Sequence, residues 1–259
     1  MNFTLQGARR GLLALLVITY AHSAMAEEAS RAASAMARTV HLVTTEYPPF
    51  MGEKLPGQGL VMRIATAAME RSGYTVKTTF MPWARAMDMT RAGAADGIAG
   101  AWRTPERELS LAYTNTVTST RIGLFKRADN PFRYETLADL KPYTIGVVRG
   151  YANPVAFDEA HLKTEEATDD ETNLRKLAGH RLQFVLIEKA VAQGLLKSSL
   201  PQLKSSVVWM EPAINVLPLY VAFSRNVKNH DELLAAFNAG LESLRKDGSL
   251  AKWAAEAGS

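Results

Sequence analysis

The chain has no cysteine among its 259 residues, so no disulfide framework can hold the fold and no thiol is present to carry a lipid anchor. An excess of one charge is missing too. Thirty Lys and Arg stand against 26 Asp and Glu, and the basic residues are scattered rather than clustered, which leaves no nucleic-acid signature. Long hydrophobic runs are absent: Gly11 to Tyr20 is a run of about ten residues, where a spanning helix requires roughly 20. The five histidines (His22, His41, His161, His180, His230) show no metal-ligand spacing, and neither a Gly-x-Ser-x-Gly elbow nor a P-loop occurs. No metal and no cofactor are therefore expected.

What is present begins at the N-terminus. Arg9-Arg10, the short apolar run and Ala24-Met25-Ala26 form the three regions of an export signal, with cleavage predicted before Glu27. Paired arginines are compatible with twin-arginine export, but the apolar stretch favours the general route. The expected location is the periplasm, as a soluble protein rather than a lipoprotein, which excludes most ATP-driven and nicotinamide-dependent chemistry. Loss of Arg9 and Arg10 with the leader halves the net charge of +4. The remaining chain, with 47% apolar and 22% charged residues overall, is ordinary globular protein, long enough for one large domain or two of common size.

Residues 27–38 are alanine-rich and read as a loose arm. From Val40 the pattern alternates. Val40 to Thr45 is a strand, Gly59 to Ser72 a helix, Tyr74 to Phe80 a strand, Trp83 to Ala92 a helix and Asp96 to Ala101 a buried strand. Thr104-Pro105 places a cap before a proline at the first helical position. The series restarts at Thr144 to Val148, with Asn153-Pro154 repeating the cap signal, then Asp170 to Ala178 (helix), Leu182 to Ile187 (strand), Glu188 to Leu196 (helix) and Ser206 to Met210 (strand). Such alternation predicts βαβ units on a largely parallel sheet. Arg121 to Arg127 and Leu219 to Ser224 are apolar, β-rich runs placed to cross between two lobes. His230 to Asp247 carries a regular apolar stripe, and a final helix holds Trp253. Two lobes joined by two strands leave a cleft, the usual place for a small ligand.

In this order, Tyr47-Pro48-Pro49-Phe50, Ala92-Gly93 with Asp96-Gly97, Thr104-Pro105-Glu106-Arg107, Leu137-Ala138-Asp139-Leu140, Gly146 to Gly150 and Asp247-Gly248-Ser249 resemble the periplasmic solute-binding proteins of family 3, which deliver polar amino acids to ABC importers. The resemblance runs from Val40 to Trp253, with Pro82-Trp83-Ala84-Arg85 marking a variant subgroup. It implies an α/β, two-lobed type II periplasmic binding protein fold. Residues 39–125 with 219–259 would form the first lobe, and 126–218 the second. It also implies a monomer that closes on a small polar solute and docks on a permease complex in the inner membrane.

Site residues follow from the same resemblance. Arg107 would fork onto a ligand carboxylate, as a planar guanidinium suits. Tyr47 and Phe50 would wall the ligand and attract an ammonium group. Trp102 stands where polar amino-acid binders carry a small hydroxyl residue, which suggests a more aromatic pocket. Trp83 and Arg85 open a helix at the carboxyl edge of the sheet, where open α/β folds bind ligands. Gly150, Tyr151 and Asn153 match the loop that receives a carboxylate, although Asn153 also reads as a simple helix cap. Glu188 occupies the position of the family aspartate that pairs with the ligand ammonium, or caps its own helix. Two rivals share the fold: a dehydratase acting on prephenate or arogenate with Glu188 as acid, and a sensor for a separate membrane receptor.

Overall fold

The computed structural model of the protein describes residues 38–258. The predicted leader, 1–26, and residues 27–37 of the predicted arm lie outside them. A first set of elements alternates as the hydrophobic pattern requires: β1 (Thr39–Thr44), α1 (Leu60–Arg71), β2 (Thr75–Phe80), α2 (Trp83–Arg91), β3 (Gly97–Ala101) and the single turn α3 (Pro105–Glu108). The short β4 (Leu111–Tyr113) and the ten-residue β5 (Thr118–Arg127) follow. A second set comprises β6 (Ile145–Val148), α4 (Val155–Glu159), β7 (Thr164–Ala167), α5 (Asp170–Ala178), β8 (Phe184–Glu188), α6 (Lys189–Ser198) and β9 (Val207–Trp209). The chain returns along β10 (Asn215–Ser224) and ends in α7 (His230–Lys246) and α8 (Ser249–Gly258).

The strands form one continuous curled sheet in the order β2-β1-β3-β10-β5-β8-β6-β7, with β4 beside β10 and β9 beside β5. Its two flanks have parallel cores. Leu42 of β1 pairs with Gly97 of β3, and Ile145 of β6 pairs with Phe184 of β8 and Thr164 of β7. Between the flanks, β10 and β5 run antiparallel to each other and to their outer neighbours. These are the two crossing strands of a two-lobed type II fold. The run from Leu219 extends back to Asn215 in the structure, through Pro218, a residue that reads as a strand end in the sequence.

Each flank is covered by helices whose apolar stripes are buried. On the first, Ile64, Ala65 and Ala68 of α1 face Leu233, Phe237 and Leu241 of α7. The two backbones approach so closely at Gly240 that a Cβ there would lie 1.9 Å from the Ala68 carbonyl oxygen. On the second, Leu174 and Leu177 of α5 and Val191 and Leu195 of α6 close over β6 and β8.

The helix starts show which sequence signals were structural. Thr104 caps α3, its Oγ1 accepting the Arg107 amide at 3.2 Å. Asn153 does not cap α4. Pro154 holds the cap position with no side-chain bond, and Asn153 Nδ2 donates to Asp158 Oδ1 at 2.9 Å instead. Pro154 itself has an extended ψ of 138°, so the helix starts one residue later and the asparagine amide reaches a side chain rather than a helical N–H.

Candidate ligand-binding cleft

The strand and helix ends of the two flanks meet over β10 and β5, and four aromatic rings fill the junction. From the first flank come Tyr47 and Trp83; Trp102 follows β3, and Tyr151 follows β6. The Tyr151 ring stands edge-on to Trp83 at 5.8 Å and to Tyr47 at 6.0 Å between centroids, the arrangement aromatic quadrupoles favour. Phe50 packs behind Tyr47 at 6.0 Å and does not reach the cavity surface. Among these rings a cavity of about 20 Å³ remains, bordered also by Thr45, Met51, Gly100, Arg107 and Ala152. That is room for one or two water molecules.

Arg107 is 5% exposed. Its Nη1 donates to the Trp102 carbonyl at 3.0 Å and its Nη2 to the Gly150 carbonyl at 2.9 Å, while the guanidinium lies 5.6 Å from the Trp83 ring centre. Burial lowers its pKa, yet an arginine of this kind stays charged at any physiological pH. No carboxylate among the described residues lies within ion-pair distance of it. Trp83 Nε1 donates to the same Gly150 carbonyl at 3.0 Å. Gly150 has φ +76°, a left-handed conformation that turns this carbonyl toward the opposite flank. One backbone oxygen of the second flank thus receives two donors of the first.

Trp102 is tied to both crossing strands. Its Nε1 donates at 3.0 Å to the Thr120 hydroxyl of β5, which in turn donates at 2.9 Å to the Leu217 carbonyl of β10. Its own carbonyl accepts from Tyr113 as well as from Arg107, and burial pushes the Tyr113 hydroxyl up to about 12.

Two larger chambers adjoin the aromatic plug. One, of about 800 Å³, is lined by Arg91, Arg103 and Arg107 together with Gly150 and Asn153. Arg91 is paired with Glu106 at 2.8 Å and Arg103 with Glu108, so Arg107 alone of the three faces the chamber without a carboxylate. The other, of about 530 Å³, is lined by Glu46, Glu53 and Phe80 from one flank and Asp169, Asp170 and Glu171 from the other, with no Lys or Arg.

The structure thus brings together Arg107, Tyr47, Trp83, Trp102, Gly150, Tyr151 and Asn153, and leaves three predicted residues aside. Phe50 stands behind the first layer. Arg85 is exposed and lines neither chamber. Glu188 is buried as the cap of α6, Oε2 accepting the Val191 amide at 2.7 Å and Oε1 the Arg121 amide at 3.0 Å. Burial raises its pKa, and those amides work in the opposite direction. Asp170 was missed. It reads as an ordinary acid in the first turn of a polar helix, but the fold buries it to 4% exposure against the Tyr151 hydroxyl, at 3.2 Å from Oδ2. Desolvation pushes its carboxyl up to about 7. Nothing in the local sequence marks it off from Asp169, whose side chain accepts the Thr172 amide.

Residues 40–257 match the family described as bacterial extracellular solute-binding proteins, family 3. Among solved structures, the substrate-binding protein of an amino acid ABC transporter is 22% identical, with 85% of this chain and 98% of that one aligned and a TM-score of 0.70. An ancestral arginine-binding protein bound to arginine is 22% identical over 85% of this chain and 98% of its own, with a TM-score of 0.73. A histidine kinase sensor domain with similarity to periplasmic binding proteins is 21% identical over 85% and 96%, with a TM-score of 0.75. Among curated protein sequences none matches. The matched family and its amino-acid-binding neighbours are binding proteins, not enzymes.

Proposed function

Since the chain belongs to the bacterial extracellular solute-binding proteins of family 3, we propose that it captures one small polar solute, an amino acid or a close relative, between its lobes and delivers it to an ABC permease in the inner membrane. Arg107 carries this reading. A guanidinium held away from water, with its donors resting on two backbone carbonyls and no carboxylate to neutralise it, is poised for an anion. A solute carboxylate would displace the Gly150 carbonyl from Nη2 and gain a charge-assisted, forked contact in its place. Tyr47, Trp83, Trp102 and Tyr151 would part to sandwich the solute and exclude water.

The lobes of this account are 39–125 with 219–259, and 126–218. The hinge is the pair β5 and β10. The solute favours the closed arrangement because it touches both lobes only there. Export by the leader at 1–26 would place the protein in the periplasm, where it works as a monomer.

The test is a melting series on protein refolded from denaturant to strip bound solute, against amino acids, polyamines and dicarboxylates. Saturation at 100 times Kd adds about 2.7 kcal/mol, a rise of roughly 5–10 °C for a chain of this size. One solute class should give such a shift in the native protein and none in Arg107→Ala. Silence across the whole panel, or an undiminished shift in the variant, overturns the reading.

A further inference from the structure

Two carboxylates are buried beside the cleft, and they differ in what their oxygens do. Both oxygens of Glu188, the acid that the family resemblance assigns to a ligand ammonium, accept backbone amides that hold α6 and β5, and Glu188 lines neither the cavity nor either chamber. Asp170 is equally buried, but among the described residues only the Tyr151 hydroxyl donates to its carboxylate, at Oδ2, which leaves Oδ1 to the chamber that Asp170 lines. Of the other acids of that chamber, Glu53 is exposed to water and the remaining three have partners. Asp169 caps α5, Glu171 pairs with Arg175 at 2.6 Å, and Glu46 accepts the Glu53 amide. A carboxylate taken out of water with one neutral donor and no counter-charge is costly, and the missing partner is a cation. The side chains lining the 530 Å³ chamber offer none, while Tyr47 and Tyr151 place aromatic rings beside Asp170, surfaces that attract cations in their own right.

We propose that Asp170, and not Glu188, is the cation subsite of this cleft, and that the solute carries a protonated amine or guanidinium which enters the acid-lined chamber and seats against Oδ1 beside Tyr47 and Tyr151. This rests on the solute-binding reading above and makes it more specific: the ligand spans the plug, its anionic end toward Arg107 and its cationic end toward Asp170. A ligand cation also draws the Asp170 proton off, ionising a carboxyl that burial otherwise holds half-protonated near neutrality.

The experiment is isothermal titration at pH 8 of the full-length protein, refolded free of solute, with amine-bearing probes (L-arginine, L-glutamine, putrescine) and amine-free ones (glutarate, succinate). Asp170→Asn and Glu188→Gln are measured alongside, with circular dichroism to establish that each folds. The expected result is that binding is confined to amine-bearing probes. Asp170→Asn weakens it by about 30-fold or more, while Glu188→Gln lowers the melting temperature and changes Kd by less than about threefold. Asp170→Glu restores part of the loss. Binding of glutarate or succinate alone, or loss of amine binding in Glu188→Gln with retention in Asp170→Asn, overturns the proposal and leaves the solute-binding reading standing. If no probe binds and the wider melting panel is silent as well, it is that reading which has failed.

Discussion

At the scale of single residues, the cleft is a problem of charges kept from water. Arg107 is expected at the cleft from the resemblance of Thr104-Pro105-Glu106-Arg107 to the family element, and the structure sets it at the cavity on the capped turn α3. Asp170 was not legible in the sequence, because its burial depends on Tyr151, 19 residues earlier, and on the approach of Tyr47 from the other flank. The pH dependence of stability separates the two situations. Asp170 has a folded-state carboxyl at about 7, above the usual aspartate value near 3.9, so between those limits the folded chain holds a proton that the unfolded chain has lost. Stability therefore falls as pH rises from about 4 to 7, and the penalty is complete above 7. Asp170→Asn removes that term. The variant should melt higher than the native protein at pH 8 and lose that advantage at pH 4; equal melting differences at both pH values would show that Asp170 is ionised in the unliganded protein without cost.

At the scale of elements, the alternation of apolar runs and helix signals located the buried parallel strands β1, β3, β6 and β8 and their helices, because each buries a face with its own period. The edge strand β7, with sequence TEEA, carries no such alternation and was silent. The length of β10 was hidden by Pro218. Two substitutions test how the elements are held. Gly240→Ala sets a Cβ against the Ala68 carbonyl, so α1 and α7 must separate, at a cost of about 3 kcal/mol. Melting should fall by roughly 10 °C; an unchanged melting temperature would mean that the two helices are not packed backbone to backbone. Thr104→Ala removes the cap of α3 and should cost about 1 kcal/mol in stability. Because Arg107 sits on that turn, solute affinity should fall with it, and a stability loss with intact affinity would separate the cap from the site.

At the scale of the whole molecule, one curled sheet serves both lobes, and motion between them must be taken up by β5 and β10. Trp102, bonded to Thr120 and through it to Leu217, links the aromatic plug to both strands, so a solute that moves this indole also bears on the hinge. Trp83 and Arg107 also converge on the Gly150 carbonyl and tie the two flanks together. Trp83→Phe removes one of these donors, worth about 1 kcal/mol, and should shift the balance toward the open form by about fivefold. Small-angle scattering of the solute-free variant would then give a larger radius of gyration than the native protein, and identical radii would show that this contact does not hold the lobes.

Intrinsic fluorescence tests the central claim most directly, since Trp83 and Trp102 both border the cavity. Solute-stripped protein should show a saturable change in tryptophan emission with one class of small polar solute and no change with the others, and Arg107→Ala should abolish the response while remaining folded. Emission unaltered by every solute, or a titration that survives in Arg107→Ala, would contradict a binding site built on this arginine and its four rings.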